Sequence, residues 1–257
     1  MQRHRYLLHL QYLGYRYHGW LRQPDLKTVG SMVEKTAHAV FGHTDVTIVG
    51  ASRTDAMVSA HHGACILVIP EAVSTDRLLA EFNTNLPNDI RILRAEEVDG
   101  SFNIITASRI KEYLYFFSFG EKPHPFSAPL ICTVPGELDI PLMKEGAALF
   151  TGVHDFRRYC STPKPGTDFI RKIETSEIDE NTLFTANFFP DKSYMYRITS
   201  QGFMRHQVRL IMGQLLRLGR HETDLESIRE TLSGPDTAPL RTIAPASGLM
   251  LYDIRFG

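Results

Sequence analysis

The stretch "DVTIVGASRTDAMVSAHHGACILVIP" (residues 45–70) holds two apolar runs around a polar centre. Residues 45–50 predict a strand. Residues 63–70 are almost wholly apolar, as in a strand buried on both faces. Between them, residues 51–62 crowd an arginine, a threonine, an aspartate, two serines and two histidines into one loop. A loop joining two strands lies at a sheet edge, where sites are commonly built. Outward from it, residues 5–12 predict a first strand, followed by a loop rich in glycine and aromatic side chains. Thr28 is a fitting N-cap for a helix reaching about Phe41, with Val29, Met32, Val33, Thr36, Ala37 and Val40 on one face. Ser74 or Thr75 caps a second helix, to Asn83. Further strands are expected at 91–98, 111–120, 172–179, 183–190, 193–200 and 249–256. Further helices are expected at 142–150, 203–219 (closed by Gly219) and 224–232. Strand-helix-strand units recur in both halves, a loose duplication at domain scale, and mixed strand order with helices segregated between runs argues for an α+β fold.

The chain has 257 residues, 43% of them hydrophobic, enough for one large or two modest domains. Cys65, Cys132 and Cys160 are isolated, which fits reduced cytosolic thiols better than a disulfide framework. The N-terminal apolar run is broken by His9 and Gln11, so neither signal peptide nor membrane span is expected. Net charge is −1, but its distribution is uneven. Residues 1–24 contain no acid yet carry Arg3, Arg5, Arg16 and Arg22. Residues 192–221 contain none yet carry Lys192, Arg197, Arg205, Arg209, Arg217 and Arg220. Two acid-free basic segments can build a basic face.

No phosphate-binding loop, dinucleotide fingerprint, zinc-protease helix or serine-hydrolase elbow is present. His61 and His62 are adjacent and would point to opposite faces of a strand, so one metal cannot easily take both. Asp55, Ser59 and His61 have the composition of a hydrolytic triad, but they crowd into one segment without the orientation such triads use. Asp55 remains, with Arg53 near enough to favour its charged form if the side chains meet.

Here the residues carry a resemblance. "SRTDAMVSA" resembles the motif of the TruA-type tRNA pseudouridine synthases: a glycine, Arg-Thr-Asp-Ala, then Gly-Val-His-Ala. Other segments agree in order: "LGYRYHGWLRQ", "NTNLPNDI", "KEYLYFF", "LFTGVHDF", "FMRHQVRLIMGQLLRLG" and "PASGLML". The likeness spans about Tyr6 to Ile254. It implies isomerisation of uridine to pseudouridine in the anticodon stem-loop of tRNA (positions 38–40), without metal, nucleotide or redox cofactor. It implies two ferredoxin-like halves, 1–104 and 105–257, with a joined, mostly antiparallel mixed sheet, helices on one face and a basic catalytic cleft between the halves. It also implies a cytoplasmic homodimer, with one tRNA touching both subunits.

By position, the resemblance makes Asp55 the essential aspartate, acting as nucleophile or as base for a sugar proton. Tyr113 would stack on the flipped base and help move the C5 proton. Arg209 would pair with the aspartate, on a helix whose apolar stripe is Met204, Val208, Ile211, Leu215 and Leu218, with Arg205 beside it at i and i+4. Leu249 would wall the uracil, and Arg53 would face the RNA. Arg16, Arg22, Arg205, His206 and Arg220 are candidate RNA contacts.

The chain also departs from the family pattern. Ser52 and Met57 stand where glycine is usual, and Ser59 where histidine is usual. If the second glycine position has positive φ, Met57 is strained there. Residues 102–105, "FNII", stand where Phe-His-Ala-Arg is usual; Leu13 replaces an Asp and Gly30 a Gln. These departures motivate one alternative, a catalytically weak or inactive tRNA-binding or folding relative. A second alternative, a hydrolase using Asp55, Ser59 and His61, predicts no affinity for RNA.

Overall fold

A computed structural model describes residues 3–233 and 236–257. In chain order its elements are β1 (His4–Tyr12), α1 (Val29–Phe41), β2 (Thr47–Gly50), β3 (Ser59–Ile69), α2 (Thr75–Asn85), β4 (Ile90–Glu97), α3 (Ile104–Ala107), β5 (Ser108–Phe119), β6 (Cys132–Val134), α4 (Ile140–Ala148), β7 (Gly152–Asp155), β8 (Ile170–Glu180), β9 (Tyr194–Ser200), α5 (Gln207–Gly219), α6 (Leu225–Ser233) and β10 (Leu249–Phe256). The chain divides into two compact units, Met1–Arg109 with Met250–Gly257, and Ile110–Leu249. The sequence boundary at 104/105 left the last strand with the second half. Residues 250–257 instead go with the first unit, because β10 pairs in parallel with β3 through Met250↔Ser59 and Leu251↔Ala60.

In the first unit the strand order is β4-β1-β3-β10, with β2 also on β3. The β1/β3, β1/β4 and β2/β3 pairs are antiparallel. β3 is buried on both faces, as its apolar run predicts: Cys65 and Leu67 are fully buried, while Ile66 joins a cluster with Leu7, Ala51, Ala64, Ile104 and Ile254. The Thr28 hydroxyl accepts the Ser31 N–H, and the Ser31 hydroxyl answers the Thr28 N–H, so two orphan donors at the start of α1 are satisfied. Ser74 caps α2 by accepting Arg77 N–H, without a reciprocal bond.

In the second unit the strand order is β5-β9-β8-β7, antiparallel between β5/β9, β8/β9 and β7/β8, with β6 parallel to β5. Antiparallel pairing dominates in both units, in keeping with the α+β expectation. α5 is the central helix here, with Val208, Leu210, Ile211, Met212, Leu215, Leu216 and Leu218 all buried. Gly146 of α4 allows close approach to Leu218 and Leu215 of α5.

Two elements expected in the second unit differ in presence or start. Residues 183–190 form no strand. The Asn181 side chain accepts from Leu183 N–H and Phe184 N–H (3.2 Å each) and donates to Phe184 O and Ser193 Oγ, and this local turn chemistry displaces a ladder. α5 begins at Gln207, not at Phe203, because His206 adopts a left-handed conformation (φ 62°) and the Gln207 side chain accepts Met204 N–H at 2.8 Å. Met204 and Arg205 therefore precede the helix, and the helical i, i+4 pairing of Arg205 with Arg209 is not formed.

Candidate active site

The loop carrying Asp55 leaves β2 at Gly50 and enters β3 at Ser59, earlier than the apolar run suggested. It lies against residues 14–20. Trp20 N–H donates to Thr54 O (3.1 Å), Met57 N–H to Tyr17 O (2.9 Å), and Gly14 N–H to Ser59 Oγ (3.0 Å). Val58 N–H closes a turn on Asp55 O at 3.2 Å. Gly19 sits at φ 87°, and a Cβ there would come 2.6 Å from Thr54 O. The aromatic, glycine-rich segment is thus a backbone cradle for the aspartate loop. The glycines are needed because backbone meets backbone. Gly30 has the same cause: its N–H donates to Trp20 O, and a Cβ would come within 2.5 Å of that oxygen, so the usual glutamine does not fit this packing.

The cradle is anchored in turn. The Tyr17 hydroxyl donates to Asp89 Oδ1 (2.6 Å), and burial with this bond pushes its pKa to about 12. Arg16 also pairs with Asp89 and lies over the Tyr17 ring, so its charge serves this anchor. Within the loop Asp55 is half-buried and Arg53 exposed.

Both glycine departures carry a cost. Ser52 Oγ is buried without a hydrogen-bond partner. Met57 has φ 67°, the left-handed region, while 36% exposed. Holding a side chain there costs about 1–2 kcal/mol, and glycine's extra unfolded-state freedom returns about 0.5–1 kcal/mol of that. Met57→Gly is therefore expected to raise the melting temperature by roughly 1–4 °C. Scanning calorimetry checks it, and a lower midpoint would contradict the strain.

The neighbouring polar residues are structural. Ser59 is buried and spends its hydroxyl on Gly14. His61 and His62 diverge, as expected on a strand. His61 stacks on Tyr252 (centroids 4.9 Å apart), whereas His62 bridges Asp253 Oδ1 (2.6 Å) and His9 Nδ1 (2.8 Å). The other ring nitrogen of His9 lies 3.0 Å from Glu96 Oε1 and 3.1 Å from Arg94 Nη2. Burial, then the Arg94 guanidinium and His62, lower the His9 pKa from 6.5 to about 4, against the pull of Glu96.

Unfolded His9 takes up a proton as pH falls below 6.5, while the folded residue stays neutral until about 4. Its contribution is therefore complete above pH 6.5 and is lost towards pH 4, amounting to roughly 3 kcal/mol at most. His9→Gln should flatten the fall in melting temperature across that window. An unchanged slope would remove His9 as its source.

The second unit carries most of the remaining candidates. On β5, Tyr115 and Phe117 are fully buried core residues, but Tyr113 is only half-buried, with Phe203 edge-on at 5.3 Å. Arg209 lies in the first turn of α5. Its Nε donates to Ala244 O (2.8 Å), and its carbonyl accepts Ala244 N–H (3.0 Å). The same segment is fixed from β5: the Tyr115 hydroxyl donates to Pro245 O (2.9 Å) and Phe116 N–H to Gly248 O (2.8 Å). Leu249 opens β10, 6% exposed. The structure thus gathers Arg209 and the approach to Leu249 around residues 244–249. Arg22 pairs with Glu34 (3.2 Å) and Arg220 with Glu222 (3.8 Å). Arg205 is exposed, and His206 is the left-handed N-cap of α5.

Sequence reasoning missed Tyr12, Tyr17, Thr54 and Asp89 as parts of this site. It also missed the pair of buried Glu112 with half-buried Arg197, which flanks Tyr113. Only the run of glycines and aromatics at 14–20 signalled a close backbone approach.

A family profile described as tRNA pseudouridine synthase matches residues 9–105 and 147–257. The chain is 33% identical to tRNA pseudouridine synthase A of Thermodesulfovibrio yellowstonii, over 95% of this chain and 96% of the relative. It is 30% identical to tRNA pseudouridine synthase A 2 of Bacillus cereus, over 98% and 100%, and 29% identical to tRNA pseudouridine synthase A of Dictyoglomus thermophilum, over 96% and 97%. With both the Asp55 loop and the Arg209 helix inside the matched residues, the chain belongs to the TruA-type tRNA pseudouridine synthase family.

Proposed function

We propose that this protein isomerises uridine to pseudouridine in the anticodon stem-loop of tRNA, by resemblance at positions 38–40, with Asp55 as the essential carboxylate. The observation that carries the reading is the Arg-Thr-Asp-Ala loop, held by backbone bonds to residues 14–20 and lying inside the family match over residues 9–105 and 147–257. In the reaction the N1–C1′ bond breaks with its electron pair going to N1, the base turns, C5 bonds to C1′, the C5 proton leaves and N1 takes up a proton. A nucleophile at C1′ and a base at a sugar proton both require an ionised carboxylate. A loop pinned on two sides holds the Asp55 carboxyl group in a fixed place. Tyr113, half-exposed beside Phe203, is suited to stack on the extruded base. Arg209 is proposed as the partner of Asp55, and Leu249 as the apolar wall for uracil. Arg53 and Arg205, both exposed, are proposed to meet the RNA backbone. Arg16, Arg22, Arg220 and His206 are secondary candidates, the three arginines each being engaged by an acid.

The protein is proposed to act in the cytoplasm, where its substrate is, as a homodimer. Light scattering coupled to gel filtration reads the oligomeric state. No helix of the described residues is long and apolar enough to cross a membrane.

The test uses unmodified tRNA carrying tritium at uridine C5. Turnover releases tritium to water, and sequencing maps the converted sites. Release from anticodon-arm uridines is expected. Salt-sensitive tRNA binding with no release would favour the binding-only relative instead.

A further inference from the structure

We infer that Tyr12 is a positioning residue for the reaction, acting through the hydroxyl of Thr54. This rests on the reading of Asp55 as the catalytic carboxylate. Tyr12 is the last residue of β1, and its backbone is registered with Ala60 of β3 on one side and Ile90 of β4 on the other. It is therefore fixed by two ladders. Its ring is 4% exposed, beside Trp20 at 6.3 Å. Its hydroxyl shares a buried hydrogen bond of 2.7 Å with Thr54 Oγ1. Thr54 directly precedes Asp55, and its carbonyl is also held, by Trp20 N–H.

Thr54 is thus gripped at side chain and backbone together, which leaves little freedom in the direction of the next residue. A phenylalanine and a valine would fill the same space. What the two hydroxyls add is a fixed distance between the strand end and the loop. In the low-dielectric interior such a bond is directional and holds its geometry. Displacements near 1 Å at a catalytic group cost about a hundredfold in rate. A grip one residue away from the carboxylate is placed to prevent them.

The test is single-turnover conversion of tRNA at saturating enzyme, with tRNA affinity measured separately. Tyr12→Phe and Thr54→Val are each expected to slow conversion by about ten- to a hundredfold, with tRNA Kd within about twofold of wild type. Thr54→Ser, which keeps the hydroxyl, should restore most of the rate. The double variant should be little slower than the slower single one, because both remove the same bond. Wild-type rates in both single variants, or a loss confined to Kd, would overturn the role. If Tyr12→Phe fails to fold, the contrast between Thr54→Val and Thr54→Ser decides alone. Asp55→Asn is run in parallel. Activity in that variant would defeat the reading of Asp55 itself, whereas an inactive Asp55→Asn beside fully active Tyr12→Phe and Thr54→Val would defeat only the positioning role.

Discussion

Asp55→Asn is expected to lower pseudouridine formation by about 10⁴-fold or more, the scale seen when one reacting group of a catalytic set is removed. Asparagine keeps the size and planarity of the side chain but cannot carry the charge. Binding should survive. tRNA is held by cations at its phosphates, so deleting an anion leaves affinity equal or slightly tighter. The loop should also survive, since the backbone bonds of Thr54, Met57 and Val58 and the hydroxyl bonds of Thr54 and Ser59 remain in the variant. Asp55→Glu separates charge from place. It keeps the carboxylate but moves it by one methylene, and a loss of about a hundredfold is expected from misplacement alone. Tritium release and tRNA binding, measured on the same preparations, check all three statements. Turnover within tenfold of wild type in Asp55→Asn would end the assignment.

Gly14→Ala is expected to have the largest effect on stability of any exchange by a single methyl group near the site. A Cβ at Gly14 would fall inside the carbonyl of Val58 and 2.9 Å from Ser59 N. Those atoms are backbone and have no rotamer to change. Gly14 is itself held to Ser59 Oγ, so either β3 or the 14–20 segment must move. Overpacking of this kind costs about 1–3 kcal/mol, or roughly 2–12 °C in melting temperature for a domain of this size. The displaced atoms lie three and four residues past Asp55, and activity should fall by about tenfold or more even where the variant is folded. Gly100→Ala is the control, since nothing lies within 4 Å of a Cβ there, and it should change stability by no more than about 0.5 kcal/mol. A Gly14→Ala protein melting within 1 °C of wild type would show that the cradle yields.

The two exchanges differ in what they probe. Asp55 is legible as chemistry because the Arg-Thr-Asp-Ala motif is contiguous. Gly14 is not, because its function is to be absent from a space occupied by a residue 44 positions along the chain. Met57 stands between these cases. The sequence marked it as a side chain where glycine is usual, and its φ of 67° supplies the physical reason.

Local information determined most of the elements by itself. Thr28 and Ser74 mark helix starts because a cap is a bond within a few residues, and α5 does end at Gly219, although its C-cap is Arg220 and a Cβ at Gly219 would meet the Met143 side chain. The last strand was read at its observed bounds from its apolar run. Local reading failed where a competing contact won. The Asn181 side chain broke the expected strand at 183–190, and a left-handed His206 delayed the start of α5. Only the tertiary structure decided that residues 250–257 belong with the first unit, that Arg16 is engaged by Asp89, and that Tyr12 and Thr54 share a buried bond. Each is a pairing between residues 42 or more positions apart. Periodicity and capping carry no information about such distances; strand register and side-chain packing create them.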